Sequence, residues 1–189
     1  TGQLLNLSSL ANDCGITHNT ARSWIGILEA SFIIYLLQPH HKNFRKRLVK
    51  TPKLYFYDTG LVCSLLGIEN KKQLETHPIR GSLFEAMILS EFFKYRYNRG
   101  LPSNFYFWRD KTGREVDCLI EKASKIILVE IKSGQTVSSD SFKNLTYLEG
   151  LSGKPGNSFL IYTGEDIQKR KSATVVGWKS LNFLTHLNS

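Results

Sequence analysis

Cysteine is scarce in this chain: there are three, Cys14, Cys63 and Cys118, far apart and with no CxxC pair. So sparse and odd a count argues against a zinc site and for a reducing cytoplasm, with each thiol expected as a small buried apolar side chain. The five histidines are scattered, and the His40-His41 pair has no partner at metal-ligand spacing. Long apolar runs are missing too. The longest, "FIIYLL", is strand-sized, far below the ~20 residues that span a bilayer, and no secretory signal precedes it. There is no Walker A loop: "GLSGKPG" lacks the spacing, and Pro155 follows Lys154 where the loop needs Ser or Thr. Internal repeats and low-complexity stretches are also absent. The first residue is not Met and the chain opens on the lead-in to a helix, so it is expected to be a piece of a longer protein.

What is present is a globular composition. The 189 residues are 41% hydrophobic and 22% charged, enough for one good domain or two small ones. Lys and Arg outnumber Asp and Glu to give a formal net charge of +9. That balance favours a polyanionic partner, nucleic acid first among them.

The first third predicts helix, turn, helix. Ser8 or Ser9 can cap a helix ending near Cys14, Gly15 suits a left-handed turn, and Thr17 can cap a second helix over His18–Ala30. In that second helix Ala21, Trp24, Ile25 and Leu28 fall on one apolar face, with Arg22 on the other side. "FIIYLLQP" and "KLYFYD" then read as strands joined by a basic loop. Two helices followed by a hairpin predict a winged-helix-like module over residues 1–67. In the candidate wing Lys42, Arg45, Lys46, Arg47, Lys50 and Lys53 lie within a dozen positions, and with Arg22 they are the expected phosphate contacts. A solvated surface loop is the plainer reading of the same cluster. Residues 68–80 are polar and read as a linker.

From Gly81 the pattern changes. "GSLFEAMILSEFFKYRY" is a periodic helix with Leu83, Phe84, Met87, Ile88, Phe92 and Tyr95 on its apolar face. "NFYFWRDKTGREVDCLIE" predicts a hairpin turning over Asp110–Gly113, and "KIILVEIK" the next strand. A helix from Ser139 or Asp140, strands in "NSFLIYT" and "SATVVGW", and a closing helix in "SLNFLTHL" complete a mixed α/β (α+β) unit over 81–189. Trp108 and Trp178 read as packing residues. Arg109, at the hairpin, is a candidate backbone contact, and "IQKRKS" near Lys169 reads as a solvated loop.

Three charges sit inside segments that otherwise read as sheet core: Asp117, Glu130 and Lys132. Glu130 and Lys132 are two apart, so they share a face with Ile126 and Leu128, while Ile127, Val129 and Ile131 point the other way. An isolated carboxylate there is costly to ionise, and two of them ~4 Å apart repel by roughly 4 kcal/mol at the effective dielectric of protein sites. A divalent cation removes that cost and an ammonium offsets part of it. Phosphodiester hydrolysis needs such parts: carboxylates to hold Mg²⁺, and a lysine to orient water and stabilise developing charge. An ordinary surface ion pair is the alternative for Glu130 and Lys132 taken alone.

Asp117 followed by Glu130-Ile131-Lys132 on the next strand resembles the PD-(D/E)xK nuclease motif, with Val116 where the motif's name has Pro. Glu85, in "GSLFEAMILSEF", stands where that superfamily often adds a helix-borne Glu; Glu91 is a weaker substitute. Together with "LANDCGITHNTARSWIGILEASFIIYLL", "FWRDKTGREVDCLIE" and "VEIKSGQT", these stretches are similar to the C-terminal region of a group of prokaryotic AAA-type ATPases. In that group a P-loop module precedes a winged-helix-like segment and a restriction-endonuclease-like domain of unknown function. The resemblance implies Asp117, Glu130 and Glu85 as holders of Mg²⁺ or Mn²⁺, Lys132 as the assisting cation, and Gln135 or Thr136 beside the site. It implies DNA as substrate and an N-terminal ATPase module of the same full-length chain as partner, with no membrane. A DNA-binding or protein-interaction module without catalysis is the alternative.

Overall fold

The computed structural model describes residues 1–40, 48–122, 125–152 and 158–181. Two short helices open it, α1 (Leu7–Asp13) and α2 (His18–Ala30). Asn6, rather than either serine, caps α1 by accepting from the Ser9 amide, and Thr17 caps α2 by accepting from Thr20. Gly15 turns between them at φ +64°, a conformation that glycine adopts without penalty. A small antiparallel sheet follows. Its order is β1 (Gln3–Leu4), β3 (Lys53–Phe56), β2 (Ile34–Leu37), so β3 is central. Asp58 caps α3 (Thr59–Leu65).

The stretch expected as a linker carries a helix of its own, α4 (Lys71–Thr76), capped by Asn70. Helix α5 (Arg80–Tyr97) comes next and is buried almost all round, from Leu83 to Phe93 and on to Arg96, not on one stripe only. The six-stranded mixed sheet has the order β4 (Phe105–Arg109), β5 (Glu115–Lys122), β6 (Lys125–Lys132), β7 (Ser158–Tyr162), β9 (Thr174–Gly177), β8 (Ile167–Lys169). The first two pairings are antiparallel; β6 with β7 and β7 with β9 are parallel. Helix α6 (Lys143–Ser152) crosses between β6 and β7. This is the mixed α/β architecture that the sequence pattern predicts. Two further details differ. "IQKRKS" is not wholly loop, because Ile167–Lys169 pairs with β9 as an edge strand. Cys14 is exposed rather than buried. The expected closing helix falls beyond Leu181, outside the described residues.

Each face of the six-stranded sheet carries its own core. Phe105, Phe107, Cys118, Ile120, Ile127, Val129 and Ile131 pack under α5. Trp108, Val116, Leu119, Leu128 and Leu160 pack under α6. The α5 core also takes in Tyr35, Leu37 and Tyr55 of the small sheet, so the two modules share one apolar interior. Phe93 sits at the junction, its ring centroid 4.5 Å from that of Tyr35 and 5.1 Å from that of Phe105. Backbone pairing reinforces this seam. Phe107 N–H donates to Gln38, His40 N–H to Phe107 and Val49 N–H to Arg109, so the chain on both sides of residues 41–47 runs along the edge of β4.

Phe93→Ala is therefore expected to lower stability by about 3–5 kcal/mol, the range for deleting a buried aromatic side chain. Urea unfolding followed by far-ultraviolet circular dichroism and by tryptophan fluorescence should remain a single coincident transition. Two separated transitions would show that the modules fold independently.

Candidate functional site: a carboxylate cluster built around Lys53

A break in strand alternation assembles the site. Between the pairs Tyr106–Leu119 and Trp108–Val116, β4 supplies only Phe107 while β5 supplies both Asp117 and Cys118. This is a β-bulge, and bulges re-aim side chains. Val116 and Leu119, three apart, both join the α6 core, whereas Cys118 joins the α5 core. Glu115, Asp117 and Cys118 consequently stand on the α5 side. There Glu85 meets them from α5, and one oxygen from each of Glu85, Glu115 and Asp117 lies within 4.8 Å of the others. Asp117 Oδ2 accepts the Ile131 amide at 2.8 Å, which fixes its carboxylate against β6.

An ammonium sits among these oxygens. Lys53 is only 2% exposed, and its Nζ lies 3.1 Å from Glu85 Oε1 and pairs with Glu115 Oε1. Alternation along β3 puts Lys53 and Tyr55 on the same buried face. The Tyr55 hydroxyl also donates to Glu85 Oε1. Phe107 and Tyr55 flank the ammonium, with ring centroids 5.6 Å and 5.9 Å away. The other oxygen of Glu115 accepts from Arg109 at 3.1 Å.

Glu130 and Lys132 form a second group. Alternation places them on the Leu128 side of β6, opposite the face under α5. Lys132 Nζ donates to Glu130 Oε1 at 2.6 Å; Glu130 is 3% exposed, and its Oε2 has no hydrogen-bond partner among the described residues. Asp117 couples electrostatically to both Glu130 and Lys132 and so links the two groups.

Charge states follow from this crowding. Burial, then the Asp117 charge, pushes the Glu85 carboxyl up from its ordinary 4.5 to about 7, against the pull of Lys53 and Tyr55. Burial and Asp117 likewise lift Glu130 to about 8. Burial also raises Asp117, opposed by Lys132, Lys53 and the Ile131 amide. For Lys53 burial works downward, but Glu85, Glu115 and Asp117 together hold its ammonium above the ordinary value. At an effective dielectric of about 20, carboxylates ~4.8 Å apart repel by about 3–4 kcal/mol per pair, so a cation among them is a condition of all three being ionised together.

The residues expected from sequence divide accordingly. Glu85 and Asp117 come together; Glu130 pairs with Lys132 beside them and is outside the three-carboxylate cluster. Glu91 is exposed and pairs with Lys94 on the helix surface. Gln135 and Thr136 are exposed after β6, as are Lys50 and Arg22 elsewhere. Lys42, Arg45, Lys46 and Arg47 lie outside the described residues. Arg109 donates to Glu115 at 3.1 Å. Two members escaped the sequence reading. Glu115 precedes Asp117 by two, a same-face spacing. Lys53 reads as part of the basic loop, although its alternation with Tyr55 carried the signal.

The donor set is three hard carboxylate oxygens converging near one point. Such donors suit Mg²⁺ or Mn²⁺, so the residues fit the ion that the sequence motif implies.

Comparison with known proteins agrees on family and leaves function open. Residues 80–181 match the family described as "Domain of unknown function (DUF4143)", and residues 1–72 match "Domain of unknown function (DUF8612)". The first match covers more than half of the chain: this protein belongs to the DUF4143 family. Two relatives are an uncharacterized protein of Mycobacterium bovis, Mb2031c, and one of Mycobacterium tuberculosis, Rv2008c. Each is 31% identical over 137 residues, which is 72% of this chain and 30% of theirs. The chain thus spans under a third of the length of these relatives. A structure of Thermococcus gammatolerans McrB AAA+ hexamers with bound McrC overlays at TM-score 0.34 and 13% identity, covering 85% of this chain and 61% of that one; a likeness this loose carries no argument. No described helix is long and apolar enough to cross a membrane.

The raised carboxyls make stability fall as pH rises. Between the unfolded value of 4.5 and the folded values of about 7 and about 8, the folded chain holds protons that the unfolded chain has released. In metal-free buffer the melting temperature should therefore drop from about pH 5 to about pH 8. Glu85→Gln and Glu130→Gln should each flatten that slope, as read by differential scanning fluorimetry.

Proposed function

We propose that residues 81–189 form a PD-(D/E)xK-type phosphodiesterase that acts on DNA with Mg²⁺ or Mn²⁺. The winged-helix-like module would present the substrate, and the whole would be the C-terminal part of an AAA-type ATP-binding protein. The observation that carries this reading is the meeting of Glu85, Glu115 and Asp117 at one point, with Glu130 and Lys132 alongside. A bound divalent ion would supply Lewis-acid polarisation of the phosphoryl group and an acidified water. Asp117 and Glu85, with Glu115 beside them, are the residues to hold it.

The chain's own groups have definite tasks in this scheme. Carboxylates around Lys132, Asp117 first and then Glu130, hold its ammonium above the ordinary value in spite of burial. It therefore donates hydrogen bonds and stabilises charge at neutral pH instead of taking up a proton. The Ile131 amide holds the Asp117 carboxylate in one orientation. Arg22, Lys42, Arg45, Lys46, Arg47 and Lys50 would meet the DNA backbone.

A second reading, a DNA- or protein-binding module without catalysis, draws on the fact that Lys53 already supplies the cluster with a cation. The two separate in one assay series. Plasmid and oligonucleotide cleavage with Mn²⁺ should appear in the wild type, vanish in Asp117→Asn, and fall by about 10²–10⁴-fold in Lys132→Met, the usual worth of a positioned catalytic group. A folded wild type that cuts neither DNA nor RNA with either metal would sink the nuclease reading. DNA binding is checked independently by a salt series: five or six phosphate contacts predict a slope of log K against log salt of about −5. A slope near zero would leave the protein-interaction role.

A further inference from the structure

The Lys53 ammonium engages two of the carboxylates that a divalent cation would use. It engages Glu85 Oε1 and Glu115 Oε1, and Glu85 Oε1 also accepts from Tyr55. These are oxygens of two of the three carboxylates that converge in the cluster. An ammonium on these oxygens competes with a divalent ion there, since it takes up lone pairs the ion would use and repels it. Nor is Lys53 an adventitious visitor from a loose surface chain. It stems from the central strand of the small sheet, its backbone between Leu37 on one side and Leu4 on the other. The rings of Phe107 and Tyr55 flank its tip. The segments bordering residues 41–47 are bonded to β4, the strand that pairs with the bulged β5.

We propose that Lys53 is a built-in competitor for the cation position, so that the small N-terminal sheet keeps the carboxylate cluster closed to divalent metal until the ammonium is withdrawn. This rests on the reading of the cluster as a metal site and adds to it a form of control. The N-terminal module is not only a means of reaching DNA. Movement of β3 relative to α5 and β5 withdraws Lys53 and admits the ion. Since the Lys53 ammonium carries the exchange, metal affinity is set by a residue outside the 81–189 domain.

Titration of the metal-free chain with Mn²⁺ alone, followed by calorimetry, tests this. Lys53→Met should bind Mn²⁺ at least about tenfold more tightly than the wild type, whereas Lys53→Arg, which keeps the charge, should stay weak. Should Lys53→Met fail to fold without metal, a wild-type measurement decides instead. In lysine-labelled protein, Mg²⁺ should move the Lys53 side-chain resonance towards that of a solvated lysine as binding saturates. Equal Mn²⁺ affinities in wild type and folded Lys53→Met, or a Lys53 resonance unmoved at Mg²⁺ saturation, would overturn the competition and leave the metal site standing. No Mn²⁺ binding by either chain, as in Asp117→Asn, would overturn both.

Discussion

The contact of one buried ammonium with two carboxylates, with a third close by, is the interaction on which the rest of this site depends. Glu85, Glu115 and Asp117 belong to a helix and a strand that would otherwise bring like charges within 4.8 Å in an apolar surround. Lys53 offsets part of that repulsion, and it does so from a different sheet. The carboxylates in turn hold the lysine charged despite its burial. Neither half is affordable alone: removing the lysine leaves three uncompensated carboxyls, and removing the carboxyls leaves a buried cation. The docking of the small sheet on α5 and the charge state of the cluster are therefore one problem with one solution. The aromatic seam of Tyr35, Tyr55 and Phe93 supplies the area that holds the two sheets in register.

The β5 bulge is the second constraint, because it lets Cys118 join Glu115 and Asp117 on the α5 side of the sheet. In a regular strand Cys118 would follow Val116 on the α6 face and Asp117 would stand alone among alternating apolar neighbours. The extra residue returns Cys118 to the α5 core and leaves Leu119 in the α6 core. It also frees the Asp117 side chain to accept the Ile131 amide, so a carboxylate occupies the place of a ladder partner between β5 and β6. Asp117 is thus fixed where both groups of charge feel it: Glu85 and Lys53 on one side, Glu130 and Lys132 on the other.

The fold was legible in the sequence wherever a local signal was strong. Thr17 marked a helix start, the Asp110–Gly113 turn marked the hairpin, and the apolar runs of β6 and β7 marked strands. What escaped were pieces too short for periodicity to register: β1 with two residues, β8 with three and α4 with six. Of the site, Glu85 and Asp117 could be read because a motif orders them along the chain. Glu115 was missed because the motif does not single it out, although its same-face spacing with Asp117 lay in the sequence. Lys53 was missed as well, because a basic neighbourhood outweighed its alternation with Tyr55 and its partner, Glu85, is 32 residues away. Electrostatic partners separated by that distance leave no local trace in composition.

Sharing a core between the two modules changes what the N-terminal part can be. A module tethered by a flexible linker reports to its neighbour only through concentration near the target. Here Tyr55 and Lys53 lie on one strand and point into the same interior as Phe84 and Phe107, so a shift of the small sheet is felt at the carboxylates directly. The backbone bonds of His40 and Val49 to β4 bring the borders of the basic segment to the edge of the sheet that carries Asp117. A cation that took the place of the ammonium would be felt in turn by the small sheet, because such coupling is reciprocal.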